Sequence, residues 1–200
     1  LILPKHKKVL KYLYITTHIK KEEVKKNDIA EYIEEPLSTA EEIIDFLIKE
    51  KYITNRFNLT NKGRKQIKVG LIGGVFDIVH IGHIATLKEA RSKVDVLAVV
   101  IARDKTVEKF KNRKPVIEEK DRKEIIQSIR YVDIAILGSE EDFIKPVEKI
   151  NPDIIFLGYD QILPPNLAKK IPPEMICRLN VRINDIKTTA IIQRIKEAGL

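Results

Sequence analysis

The chain has 200 residues, 44% of them hydrophobic, and 37 lysines and arginines against 29 carboxylates give it a formal charge of +8. That length suits one medium domain or two small ones with a real core. No apolar run approaches the length of a membrane span, no small-residue cleavage site follows an apolar stretch, and the single cysteine, Cys177, excludes an internal disulfide or a cysteine metal cluster. A soluble, cytoplasmic protein is expected. The basic balance admits nucleic acid, an anionic surface or phosphorylated small molecules as partners.

The hydrophobic rhythm changes near Lys68, which divides the chain into segments 1–67 and 68–200. In the first segment apolar residues recur at helical spacing. Leu10, Leu13 and Tyr14 share one helix face, and Ile29, Tyr32 and Ile33 define a second, short helix. Ser38 is the expected cap of a third helix, with Glu41 at the capping-box position. Alternation over 52–60, with Asn55-Arg56 near its middle, reads as a small hairpin. Three helices and a hairpin suggest a winged helix-turn-helix.

In the second segment, apolar runs at 69–72, 94–101, 132–137, 153–157 and 176–181 alternate with helical stretches that include 84–92, 118–129 and 143–150. Nearly continuous apolar runs suit strands buried on both faces. The fold class expected is α/β: a Rossmann-like, doubly wound parallel sheet of five strands. Such sheets bind ligands at the carboxyl ends of their strands.

The sharpest motif is Gly73-Gly74-Val75-Phe76-Asp77-Ile78-Val79-His80-Ile81-Gly82-His83. Glycines directly after a strand let backbone approach a phosphate with no Cβ in the way. Gly82 and His83 would open the next helix, whose free N–H groups and positive dipole end attract anions. Two histidines flanking a small residue can point at one phosphate and donate to oxygens that gain charge in a transition state.

The pattern Gly74-x-Phe76-Asp77-x-x-His80-x-Gly82-His83 resembles the signature of the cytidylyltransferase-like superfamily. The resemblance covers residues 69–195 and is nearest to archaeal-type FAD synthetases. It is carried further by Ala102-Arg103-Asp104-Lys105-Thr106-Val107, Lys111-Asn112-Arg113-Lys114-Pro115, Asp121-Arg122-Lys123-Glu124, Val132-Asp133-x-Ala135-x-Leu137-Gly138 and Pro152-Asp153-Ile154-Ile155-x-Leu157-Gly158-Tyr159-Asp160-Gln161. The resemblance implies AMP transfer from ATP to FMN, with Mg2+ accompanying the triphosphate. Related families cytidylylate glycerol 3-phosphate or similar phosphorylated alcohols from CTP.

The resemblance also implies roles. His80, His83, Lys111 and Lys114 become the catalytic candidates; the two lysines lie in a segment, 109–114, with four cations in six positions. Gly73, Gly74, Val75, Phe76, Asp77, Gly82, Arg122, Gly158, Asp160, Arg182, Thr188 and Thr189 become the nucleotide-binding candidates. No protein metal ligand is expected. The stretch Arg182-Ile183-Asn184-Asp185-Ile186-Lys187-Thr188-Thr189 is similar to the family's Arg-Thr-x-Gly-Ile-Ser-Thr-Thr but carries Ile183, Asp185 and Lys187 where the family has Thr, Gly and Ser. Losing the glycine puts the usual turn geometry in doubt, while Lys187 adds positive charge.

Segment 1–67 admits DNA binding, homodimerisation or a structural role. Its third helix would bring Glu41, Glu42, Asp45 and Glu50 toward a phosphate backbone, which opposes binding. Lys51, Arg56, Lys62, Arg64 and Lys65 would favour it. A DNA-binding regulator that senses nucleotide is a third reading beside the two transferases.

Overall fold

The computed structural model describes residues 1–163, 165–181, 183 and 188–199. It forms two compact units, Leu1–Lys68 and Val69–Leu200. None of its helices, among the described residues, is long and apolar enough to cross a membrane.

In the first unit, α1 (Pro4–Leu13) starts on a proline, whose fixed φ suits the first helical position. It continues into a π-helical stretch, Tyr14–Lys20, that ends on left-handed Lys21. The wider turn buries Tyr14, Ile15 and Thr16 in succession, which a strict α period would not. α2 (Lys26–Ile33) and α3 (Leu37–Lys49) follow. Val9, Leu10 and Leu13 of α1 share the core with Ile29 and Ile33 of α2 and with Ile44 and Leu47 of α3.

Ser38 does not cap α3. The helix begins two residues earlier than a Ser38 cap would set it, at Leu37 behind Pro36, whose carbonyl accepts the first helical bond from the Ala40 N–H. Proline restricts the residue before it, Glu35, and leaves Leu37 free to be helical. Glu41 reaches Lys26 at 2.9 Å instead of capping. The hairpin of 52–60 is reduced to one antiparallel bridge, Ile53 to Leu59. Its turn is held by Thr54 Oγ1, which accepts from the Arg56 and Asn58 N–H groups. A short α4 (Asn61–Arg64) is capped by Thr60.

The second unit is a parallel sheet of five strands: β1 (Val69–Gly74), β2 (Val96–Ile101), β3 (Ile134–Leu137), β4 (Ile154–Leu157) and β5 (Ile176–Arg178). Its order is β3-β2-β1-β4-β5, and each neighbouring pair is parallel. The flanking helices are α5 (Ile81–Ser92), α6 (Asp104–Lys111), α7 (Glu119–Gln127), α8 (Ile144–Ile150), α9 (Pro165–Ala168) and α10 (Thr188–Glu197). The fold is the doubly wound one expected from the sequence.

Two aspartates pin the register. Asp153 donates its N–H to the Val69 carbonyl and accepts the Val69 N–H on its carboxylate at 2.7 Å. Asp133 does the same with Leu97, accepting at 2.8 Å. Each satisfies backbone groups near the start of the adjacent strand, which burial would otherwise leave unpaired. Leu97, Val99, Ile101, Leu87 and Phe156 form the centre of the core, all fully buried.

The chain runs outward from β1 to β2 and β3, then returns to place β4 on the other side of β1. The carboxyl ends of β1 and β4 therefore flank the switch point, where open α/β sheets hold ligands.

Candidate active site

A cavity of about 410 Å³ opens at that switch point. It is lined by the end of β1 and its turn, from Ile72 to Asp77, by the start of α5, by the loop after β4 and by the start of α10. Gly73 and Gly74 lie inside β1, paired with Val100 and Ile101, so the strand runs two residues beyond the apolar run. A Cβ on Gly73 would find no closer neighbour than a carbonyl 3.9 Å away. It would take up space in the cavity that the glycine leaves for a ligand. Gly74 answers a different constraint. A Cβ there would come within 2.7 Å of the Phe76 ring. Phe76 itself is left-handed, at φ 51, and buried. The turn therefore folds its ring back over Gly74 and against His83, 5.2 Å between centroids.

His80 is the N-cap of α5. Its Nδ1 accepts from the Gly82 N–H at 3.2 Å, while His83 Nδ1 accepts from the His80 N–H at 3.4 Å. This is a capping box built from two imidazoles. An imidazole that accepts at Nδ1 carries its proton at Nε2. The helix start thus selects the tautomer that leaves an Nε2–H donor on each ring, and both residues line the cavity. The rings lie 3.9 Å apart. Burial pushes the His80 pKa down. Burial, then the neighbouring His80, then Lys111 hold His83 at about 4. Both rings are neutral donors at the positive end of a twelve-residue helix.

Asp77 lines the same cavity but is turned into the protein, with 1% of its surface exposed. Burial alone would raise its pKa. Hydrogen bonds from Arg113 and from the Ile117 and Val116 N–H groups outweigh that and hold the carboxyl below its usual range.

Lys111, the last residue of α6, lines the cavity. Lys114 does not line it; its side chain is exposed, and its carbonyl accepts from Arg113. Asn112 at φ 50 turns the chain back after α6, so Arg113 faces the cavity in the place expected of Lys114. Arg113 had a sequence signal, the run of cations, but nothing in the run told one cation from the next.

Arg122 is also absent from the cavity wall. It is fully buried, and donates to the carbonyls of Ile117, Val75 and Ala102 and to Asp104. With four of its five N–H groups donated to protein, it clamps the loops at the ends of β1 and β2 together.

After β4, Gly158, Tyr159, Asp160 and Gln161 line the cavity. The Gln161 amide bridges two strand ends. Its Oε1 accepts from the Gly158 N–H and its Nε2 donates to the Gly73 carbonyl, both at 2.8 Å. Arg178 of β5 donates to the carbonyls of Gly158, Tyr159 and Gln161. Neither role had a signal in the sequence. Thr188 and Thr189 at the start of α10 line the cavity, as does Ile183. Thr188 donates to the Ile78 carbonyl at 3.4 Å. Arg182, Asp185 and Lys187 lie outside the described residues.

A parallel sheet whose switch point carries a bare glycine edge, a helix start bearing two imidazole donors and nearby cations is an α/β domain with groups suited to an anionic ligand. The chain belongs to the cytidylyltransferase-like family, whose model matches residues 71–194. It is similar to the FAD synthase of Ferroglobus placidus, 49% identical over 88 residues, and to that of Aciduliprofundum boonei, 52% identical over 88 residues. Each match covers 44% of this chain and spans a little over half of the relative, 57% and 58% respectively. Among solved structures, a lipopolysaccharide core biosynthesis protein from Thermoplasma volcanium aligns with 58% of this chain and 99% of its own, at 39% identity and a TM-score of 0.54.

Proposed function

We propose that this protein is a nucleotidylyltransferase of the FAD synthase kind, moving AMP from ATP to FMN with release of pyrophosphate. The observation that carries the reading is the pair of imidazoles at the start of α5, each with Nδ1 engaged in capping and Nε2–H left for a ligand. Similarity to two FAD synthases supports flavin as the acceptor and ATP as the donor.

In this reading an oxygen of the FMN phosphate attacks the α-phosphorus of ATP. A new P–O bond forms, the bond from the α-phosphorus to the bridging oxygen breaks, and pyrophosphate leaves. The nucleophile is already anionic, so no protein base is required. Catalysis rests on positioning and on stabilising charge. His80 and His83 donate to the α-phosphoryl oxygens as charge builds there. Lys111 and the N–H groups at the starts of α5 and α10, with Thr188 and Thr189, hold the phosphates. Gly73, Gly74, Val75 and Gly82 give the phosphates backbone at close range, while Gly158 and Asp160 border the base.

Magnesium, when bound, would neutralise triphosphate charge. Among the described residues no three His, Cys, Asp or Glu side chains group into a cation cage, and the Asp77 carboxylate is taken by its own donors. In this reading the ion is carried on the nucleotide and its water.

For the Leu1–Lys68 unit we favour a structural or dimerising winged helix over a DNA-binding one. Glu41 and Glu50, on and after α3, are met by Lys26 and Lys62 within the unit, which leaves these lysines less charge for a phosphate backbone.

The test is an assay with magnesium and separate pairs: FMN with ATP, FMN with CTP, and glycerol 3-phosphate with CTP. Pyrophosphate and the chromatographed product are read together. FAD from FMN and ATP is the expected result. A CDP-linked product would move the protein to the other branch of the family, and no product from any pair would overturn the reading.

A further inference from the structure

Asp77 sits in the wall of an anion-binding cavity, where a carboxylate would repel phosphate. Its environment removes that conflict. Oδ2 accepts from Arg113 Nη1 at 2.7 Å, and Oδ1 accepts from the Val116 and Ile117 N–H groups at 2.7 and 3.1 Å. All these donors belong to one short segment, 113–117, that joins α6 to α7. The same segment is held from its other side, because Arg122 Nε donates to the Ile117 carbonyl at 2.9 Å. The Ile117 residue is thus bolted at its N–H to Asp77 and at its C=O to Arg122.

The segment carries Arg113, and Lys111 ends α6 two residues before it. Lys111 and Arg113 both line the cavity. Arg113 meets Asp77 and the Lys114 carbonyl through Nη1 alone, which leaves Nε and Nη2 for a ligand oxygen. Free lysine and arginine side chains on an untethered loop would have to be ordered when an anion binds, and that entropy subtracts from affinity. A buried carboxylate with charge-assisted bonds performs the ordering in advance.

We propose that Asp77 is a positioning residue that never touches the nucleotide: it tethers segment 113–117 so that Arg113, beside Lys111 in the cavity wall, is aimed at the triphosphate before it arrives. The identity of the anion rests on the function proposed above; the tether does not.

The test measures the affinity of the full chain for inorganic tripolyphosphate by calorimetry, with hydrogen exchange at the Val116 and Ile117 amides alongside. In Asp77→Asn the two amides should exchange faster and tripolyphosphate should bind at least about tenfold more weakly, the scale of one lost charge-assisted bond. Arg113→Lys keeps the charge but withdraws the arginine fork. It should bind several-fold more weakly, and the double variant should be little worse than Asp77→Asn alone. Wild-type affinity in Asp77→Asn, with or without faster exchange, overturns the proposal. If that variant does not fold, wild-type affinity in Arg113→Lys overturns it. Tripolyphosphate lacks base and acceptor, so loss of binding upholds the tether even where the assay of FMN and ATP fails.

Discussion

The rings of His80 and His83 lie 3.9 Å apart, and each gives its Nδ1 to a backbone N–H of the helix start they share. In the proposed mechanism the donor geometry and the helix cap are therefore one structure. The helix that needs a cap orders the donors, and the donors keep their outer N–H groups because the inner nitrogens are occupied.

His83→Ala should lower turnover by about 10²–10³-fold, the usual cost of removing one donor to a developing anion. His83 caps through a long 3.4 Å bond, so the fold should survive. Turnover at saturating FMN and ATP, beside a thermal melt, checks this. Near-normal turnover in a folded variant would remove His83 from the mechanism.

The low pKa of His83 makes stability depend on pH. Its imidazole takes a proton near 6.5 in an unfolded chain but only near 4 in the native protein, mainly because of burial. Between those values the unfolded chain binds more protons. The contribution of neutral His83 is then complete above the upper value and is lost as pH falls toward the lower one. Its size is at most on the order of 3 kcal/mol. Urea midpoints at about pH 7 and about pH 4.5 should differ more in the wild type than in His83→Gln. Equal differences would show that other groups carry the acid sensitivity.

Arg122 predicts a stability defect first, and any loss of triphosphate binding should follow from the freed Ile117 carbonyl. Arg122→Met leaves Asp104 and the carbonyls of Val75, Ala102 and Ile117 without their buried donor. Breaking such a pair costs about 3–5 kcal/mol. Denaturant unfolding of the variant measures the loss. A wild-type midpoint combined with weakened triphosphate binding would restore Arg122 to the phosphate site.

Gly74→Ala tests the turn. The new Cβ would meet the Phe76 ring at 2.7 Å, and that ring packs on His83. Overpacking costs about 1–3 kcal/mol. Displacement of Phe76 should disturb His83 as well, so turnover should fall further than stability alone accounts for. Wild-type turnover would mean that Phe76 moves without disturbing the imidazole.

Much of this protein is legible in its residue order. Continuous apolar runs disclose buried parallel strands, since a strand covered on both faces needs no polar alternation. Glycines and histidines at one strand-to-helix passage disclose the candidate site, because that chemistry depends on a few neighbouring residues. Cations at 109–114 show that a basic loop exists. Composition and spacing could not assign the long-range partners. Whether Lys114 or Arg113 faces the cavity depends on one left-handed residue, Asn112, and on a carboxylate 36 positions away in the chain. Arg122 resembles a phosphate ligand until its burial is known; then desolvation obliges it to spend its donors on protein. Gln161 and Arg178 gain their roles only when β1, β4 and β5 lie side by side. Local chemistry was set by sequence neighbours, whereas the division of charged residues between clamp and site was decided by which groups the sheet buried together.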